Sequence, residues 1–235
     1  MKKSFIRFIL ILSLIFSFQS RSFSQTDVIN FSTILKLYDE PSTSDFKVTS
    51  LITDHQGNIF VGGNFKSSQF TISGHTFNNH NLVKSDWDFF LLKINKEGKI
   101  VWTNNRIDSI YGELNNVITD NSDDIYLTGK FKQTTQIKQN ILVLKFDTYG
   151  TLSYITTSNV NNIKPFSIVF DKNQNIYLYG SFSSDSLVFE DTIIKCPYEN
   201  SKGTNFVIKY DNSEKIVWAK IFLHSGNSSI WDYRS

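Results

Sequence analysis

Asp86-Trp87-Asp88 is the stretch of this chain best equipped to meet a ligand. A tryptophan on a loop offers a flat apolar face on which a sugar ring can stack, here between two carboxylates. The competing reading is structural: Trp87 packs on its own sheet and Asp88 caps the start of a strand. Asp120, Ser122 and Asp124 match the first half of a calcium loop. Ile125 stands where that loop needs glycine, and no bidentate glutamate follows at its twelfth place, so Asp120 reads as closing a turn and Asp123–Asp124 as facing water. His55, His75, His80 and His224 lack metal-site spacing and read as solvated loop residues. Gly62-Gly63 precedes no helix, and neither G-x-G-x-x-G nor G-x-S-x-G occurs. In the pairs Asp39–Glu40 and Glu190–Asp191, neighbours on a strand would point to opposite faces and could not flank one glycosidic bond unaided. Cys196 is the only cysteine, so no internal disulfide can form; beside Pro197 it reads as an inert, half-buried thiol. The residues therefore assign no catalytic group, cofactor or metal, and the ligand-contact candidates are Trp87, Asp86 and Asp88.

The elements that must position these residues come from a repeat. Asp171 to Phe182 (DKNQNIYLYGSF) has two counterparts, Asp54 to Phe65 (DHQGNIFVGGNF) and Asp120 to Phe131 (DNSDDIYLTGKF). Each unit starts with a short strand, at Val48–Ile52, Asn116–Thr119 and Ser167–Phe170. An aspartate then closes an Asx-type turn. Gly57 suits the left-handed position such a turn needs, Asp123 tolerates it, and Gln174 fits it poorly. In the next strand, Ile59, Val61, Gly63 and Phe65 share one face, and Phe60, Tyr126 and Tyr177 take the other in their units. Both faces are apolar, which predicts cover on both sides. The mid-strand Gly63, Gly129 and Gly180 predict a large side chain from a neighbouring sheet pressed over each.

A variable stretch with short β-like pieces follows. A third strand recurs around Lys93, Lys145 and Lys209, then a second hairpin turn, then a fourth strand ending on Trp102, Tyr154 or Trp218. Glu214 replaces the glycine of that turn in the last unit and fits the turn poorly. Four strands per unit, three times over, is the arithmetic of β-propeller blades. The expected fold is all-β and propeller-like: about three four-stranded antiparallel blades, at 48–104, 114–156 and 166–222, in an incomplete ring.

The N-terminus reads as a secretory signal peptide over 1–24. Lys2, Lys3 and Arg7 precede an apolar run from Phe8 to Phe18, and Ser22-Phe23-Ser24 supplies a cleavage site. The run is half the ~20 residues a membrane span needs. Residues 25–47 form a lead-in segment in which Thr33–Tyr38 could be a closing strand. Loss of the leader takes four of the 24 basic residues, leaving 20 against 22 acidic, a net of −2. No cationic stripe remains for nucleic acid.

The pattern D-x-x-G-N-I-Y-x-x-G-x-F, followed by Asp88, Phe90, Lys93, Asn95, Gly98 and Trp102 of the second half-unit, resembles the bacterial SBBP-type β-propeller repeat over about 48–222. Asn140, Tyr154 and Glu214 depart from it. The resemblance implies a secreted or cell-surface protein and transfers no catalytic residues. Three blades fall short of the ~4–8 of closed propellers. A piece of a longer protein is the favoured explanation; self-association with a second copy to close a ring, or an open arc, are the others. The expected function is that of an exported, non-enzymatic binding or scaffold module with a protein or glycan partner. The alternative is a propeller hydrolase or lyase acting on extracellular glycans, with carboxylates from different blades meeting in a cleft.

Overall fold

The structure, a computed structural model, describes residues 46–80, 86–104, 110–133, 136–158, 163–189, 192–195, 204–222 and 230–234. The leader, nearly all of the lead-in segment, Cys196 and His224 lie outside them. The described residues contain strands and no helix. The first sheet orders β1 (Phe46–Thr53), β2 (Ile59–Phe65), β5 (Asp88–Ile94) and β6 (Ile100–Asn104). The second orders β7 (Ile110–Thr119), β8 (Ile125–Gln133), β9 (Gln136–Phe146) and β10 (Leu152–Ser158). The third orders β11 (Lys164–Phe170), β12 (Ile176–Phe182), β15 (Thr204–Tyr210) and β16 (Ile216–Phe222), with β17 (Ile230–Arg234) as a fifth strand. All neighbours are antiparallel and no sheet closes into a barrel. Two-stranded hairpins, β3 (Gln69–Ile72) with β4 (His75–Asn78) and β13 (Ser186–Phe189) with β14 (Thr192–Lys195), fill the variable stretches of units one and three. The innermost strand β7 packs against both β1 and β11, so the sheets are stacked blade on blade.

Six hairpin turns share one geometry. A residue at φ between +62° and +84° stands at Gly57, Gly98, Asp123, Gly150, Gln174 and Glu214. Each donates its N–H to the carbonyl of the Asp or Asn three residues back, at 2.9–3.2 Å. The side-chain oxygen of that Asp or Asn caps the turn: Asp171 Oδ1 accepts from the N–H of Asn173 and Asn175, both at 2.9 Å. Gln174 and Glu214, the residues least suited on paper, adopt the same conformation as the glycines.

Several sequence expectations need correction. The first strands begin earlier than their alternation suggests because each contains a β-bulge, between Val48 and Ser50, Leu114 and Asn116, and Pro165 and Ser167. An extra residue shifts the period-2 phase and hides the strand's start. The bulge also accounts for the mid-strand glycines, each of which pairs with the residue before it. A Cβ on Gly63, Gly129 or Gly180 would meet the carbonyl oxygen of Lys47, Glu113 or Lys164 at 2.3–2.5 Å and a phenylalanine ring of its own sheet, from Phe90, Phe131 or Phe206. The crowding therefore comes from within the sheet. Neighbouring-sheet side chains press instead on Gly62, where Leu114 and Val117 lie 2.7 Å from the Cβ position. The third sheet also exceeds the four strands expected of each unit, because β17 pairs along β16.

Cover on both faces holds for the first sheet and fails for the third. Every residue of β2 and β5 is buried. Along β12 and β15 only one face is: Ile176, Leu178, Phe182, Phe206, Ile208 and Tyr210 are buried while Tyr177, Tyr179, Val207 and Lys209 are not. The first two sheets enclose one core, built on Phe60, Phe89 and Leu91 against Leu114, Val117, Leu127 and Phe146. A second core joins Tyr126 and Val143 to Ile168, Leu178, Phe206 and Ile208 of the third sheet.

Candidate functional site

The repeated lysines meet the repeated turns. Lys93 Nζ lies 3.3 Å from Asp54 Oδ2 and over the Phe60 ring, 5.0 Å from its centroid. Lys145 and Lys209 stand the same way over Tyr126 and Tyr177, at 5.1 and 5.3 Å. Each of the first two also reaches the next sheet's second hairpin: Lys93 Nζ donates to Thr148 O at 3.4 Å, and Lys145 Nζ to Glu214 Oε1 at 3.2 Å. Trp102 Nε1 donates to the same Thr148 O at 3.2 Å.

The left-handed residues complete this bonding. Asp123 Oδ1 accepts from His55 N and contacts its Nδ1 at 2.7 Å; Gln174 Oε1 accepts from Asn121 N at 2.9 Å; Glu214 takes Lys145. Three of the four such turns in the second and third sheets thus carry a polar side chain that grips the preceding sheet. At the fourth, Gly150, the Trp102 indole lies 3.1 Å from where a Cβ would sit and takes the place of a polar grip. Both turns of the first sheet carry glycine. Sequence reasoning counted Gln174 and Glu214 as losses from the pattern, although long polar side chains in place of glycine were the available signal.

The Asp86-Trp87-Asp88 corner lies at the opposite end of the first sheet from its turns. Asp86 is exposed and Trp87 half-buried. The ammonium groups of Lys47 and Lys66 lie over the indole, 4.4 and 4.8 Å from its centroid, and Lys47 also pairs with Glu113 of the second sheet. Neither lysine was foreseen, since both come from strand ends distant in sequence. Asp88 does not share this surface. It is fully buried, accepting from His80 N at 2.8 Å, Phe89 N at 2.9 Å and Gly112 N at 3.4 Å, so it ties a loop and the neighbouring β7 to its own strand. Burial pushes its carboxyl above the ordinary value, against the pull of those N–H groups. Asp88 therefore has no route to a ligand, which leaves Trp87 and Asp86 as the accessible pair. His80 corrects the expectation of solvated histidines, for it buries its Nδ1 beside Asp88, whereas His55 stays exposed while bound to Asp123.

No protein-family model matches the sequence, and neither does any curated protein. Among solved structures, the chain is matched to a protein of unknown function from Bacteroides caccae, at 10% identity and a TM-score of 0.29 over 85% of this chain and 91% of that one.

The half calcium loop is occupied by its own backbone. Asp120 Oδ1 accepts from Ser122 N and Asp124 N, and Asp124 pairs with Lys145 at 3.4 Å. Among the described residues no three His, Cys, Asp or Glu side chains converge as a metal site would need. Carboxylates of two sheets share one ammonium, for Asp124 and Glu214 pair with Lys145 at 3.4 and 3.2 Å.

The turn aspartates link the fold to acid. Bonds from the Asn175 side chain, the N–H groups of Asn175 and Asn173 and the Tyr177 hydroxyl hold Asp171 down to about 2. Burial opposes the same lowering at Asp54, where Asn58 and Lys93 prevail. A carboxyl lowered on folding contributes fully above its unfolded value, near 4, and loses the contribution as pH falls through its folded value. Thermal melting should therefore hold steady from neutral pH to about 5 and fall steeply between about 4 and 2. Asp171→Asn should flatten that decline; an unchanged acid limb in this variant would refute the assignment.

Proposed function

We propose that this chain is an exported, non-enzymatic propeller-like module, of the SBBP-type repeat its sequence resembles, that recognises an acidic glycan at the cell surface through the Trp87 corner. The observation that carries the reading is the pair of ammonium groups over a half-buried indole, at a corner with no counterpart in the other two units, where Gln139 and Gly203 stand in place of Trp87. The repeated charges elsewhere are consumed in holding sheet to sheet, so they do not call for a ligand. An indole supplies apolar area to a sugar ring, and Lys66 favours a sugar bearing its own carboxylate, which exchanges a cation–π contact for an ion pair, while Lys47 is held by Glu113. The leader-like N-terminus supports export.

Calorimetric titration with a uronic-acid oligosaccharide and its neutral, carboxyl-reduced counterpart tests this. Binding of the acidic form is expected, weakened about tenfold or more by Trp87→Ala and by Lys66→Ala, with the neutral form bound more weakly. Equal affinity for both forms, no binding, or a Trp87→Ala variant indistinguishable from the parent would overturn it. Release of shorter sugars during the titration would turn the assignment to the enzyme alternative.

A further inference from the structure

We propose that the uncovered face of the third sheet is a self-association surface, on which two copies of this chain meet face to face about a two-fold axis. Each sheet turns an equivalent face toward its successor. On the first sheet, Ile52, Phe60, Leu91 and Trp102 lie against the second; on the second, Ile118, Tyr126 and Val143 lie against the third. The same positions on the third sheet hold Val169, Tyr177, Val207 and Trp218, and at the place of Gly62 and the buried Thr128 stands Tyr179. Val169 is 54% exposed and Tyr179 41%; Phe166, 41% exposed, lies against Tyr179 with ring centroids 5.6 Å apart. Half of the six exposed large hydrophobic residues among the described ones gather on these two strands. A contiguous apolar face of this kind marks an interface.

The two internal interfaces show what such a face accepts: a second apolar sheet with polar partners for the row of lysines. The occupant is not the first sheet of another copy added head to tail. That sheet's opposite face, with Ile59, Val61, Phe65, Leu92 and Ile94, is already buried. Among the described residues, the largest gathering of exposed apolar side chains a second copy can offer is then the same face of its own third sheet. An isologous contact needs such self-complementarity. The face carries both signs of charge, since Lys209 and Lys220 share it with Asp171, which lies 3.9 Å from Lys209 at its turn end. The surface lies on the third sheet and is independent of the Trp87 reading, so either can fail alone.

Sedimentation equilibrium of the full chain across the micromolar range tests the proposal. A dimer is expected. Val169→Glu and Tyr179→Glu should each weaken it about tenfold or more, with unchanged melting temperature because both side chains are exposed. Val101→Glu and Ile193→Glu, exposed on other surfaces, should leave it intact. Phe166→Glu, exposed on the same face against Tyr179, should also dissociate it and serves if either glutamate variant misfolds. A monomer at every concentration, a dimer that survives all three face variants, or an open-ended polymer of the head-to-tail kind would overturn it.

Discussion

Replacing Gly129 with valine is expected to cost about 3 kcal/mol or more and to lower the melting temperature by about 6–12 °C. The Cβ alone would sit 2.3 Å from Glu113 O and 2.6 Å from Phe131 Cζ. The first of these is backbone, fixed by the bulge in β7, and cannot swing aside as a side-chain tip would. Relief requires the bulge to open, and with it the pairing of β7 and β8 around which both neighbouring sheets pack. Gly63 and Gly180 face equivalent contacts, so valine at either should give a loss of similar size. Lys172→Ala, on an exposed turn, is the surface control. A Gly129→Val chain that melts with this control would show that the bulge yields, and the account of the glycines would be lost with it.

The second large effect is expected at Asp88. Alanine there leaves the N–H groups of His80 and Phe89 without their acceptor, at about 1–3 kcal/mol each, so a total of about 2–6 kcal/mol is expected. Asparagine keeps one acceptor oxygen and removes the buried charge, and should cost only about 1 kcal/mol. The pH dependence runs opposite to that of Asp171. Burial raises the Asp88 carboxyl, so its charged form penalises the folded chain above the folded value, and the penalty disappears as pH falls below the ordinary carboxylate range. The gap between parent and Asp88→Asn should therefore change little across the acid limb that Asp171 governs. Denaturant titration of both variants decides the matter: equal midpoints for Asp88→Ala and parent would mean the carboxyl caps nothing and would return it to the list of surface groups.

How far the sequence could be read follows from which residues obey the alternation of a strand. Ile59, Val61, Gly63 and Phe65 and their counterparts did, so the second strands and the four-strand unit were plain. The turns were plain too, because an Asp or Asn two and four residues before a backbone N–H has little else to do. Bulges were not legible: Thr49, Asn115 and Phe166 break the period without any residue type that announces it. Asp88 misled because a charged residue beside a loop tryptophan reads as exposed, and only the three N–H groups converging on it, two of them from distant segments, reveal otherwise. β17 had no repeat counterpart to point to it. The Trp87 corner was half legible: the indole was evident, whereas Lys47 and Lys66 join it only once β1 and β2 pair.

Chains built by duplicating one unit face an ambiguity, since identical blades could dock in any order or exchange partners between molecules. The left-handed residues at the hairpins remove it. Asp123, Gln174 and Glu214 differ in length and charge, and each fits a single receptor on the blade before it: a histidine, a backbone amide, an ammonium. Strained positions that glycine would occupy at no cost thus serve as address labels, spending a little local comfort to keep three near-copies in sequence and to discourage mis-threaded or swapped assemblies.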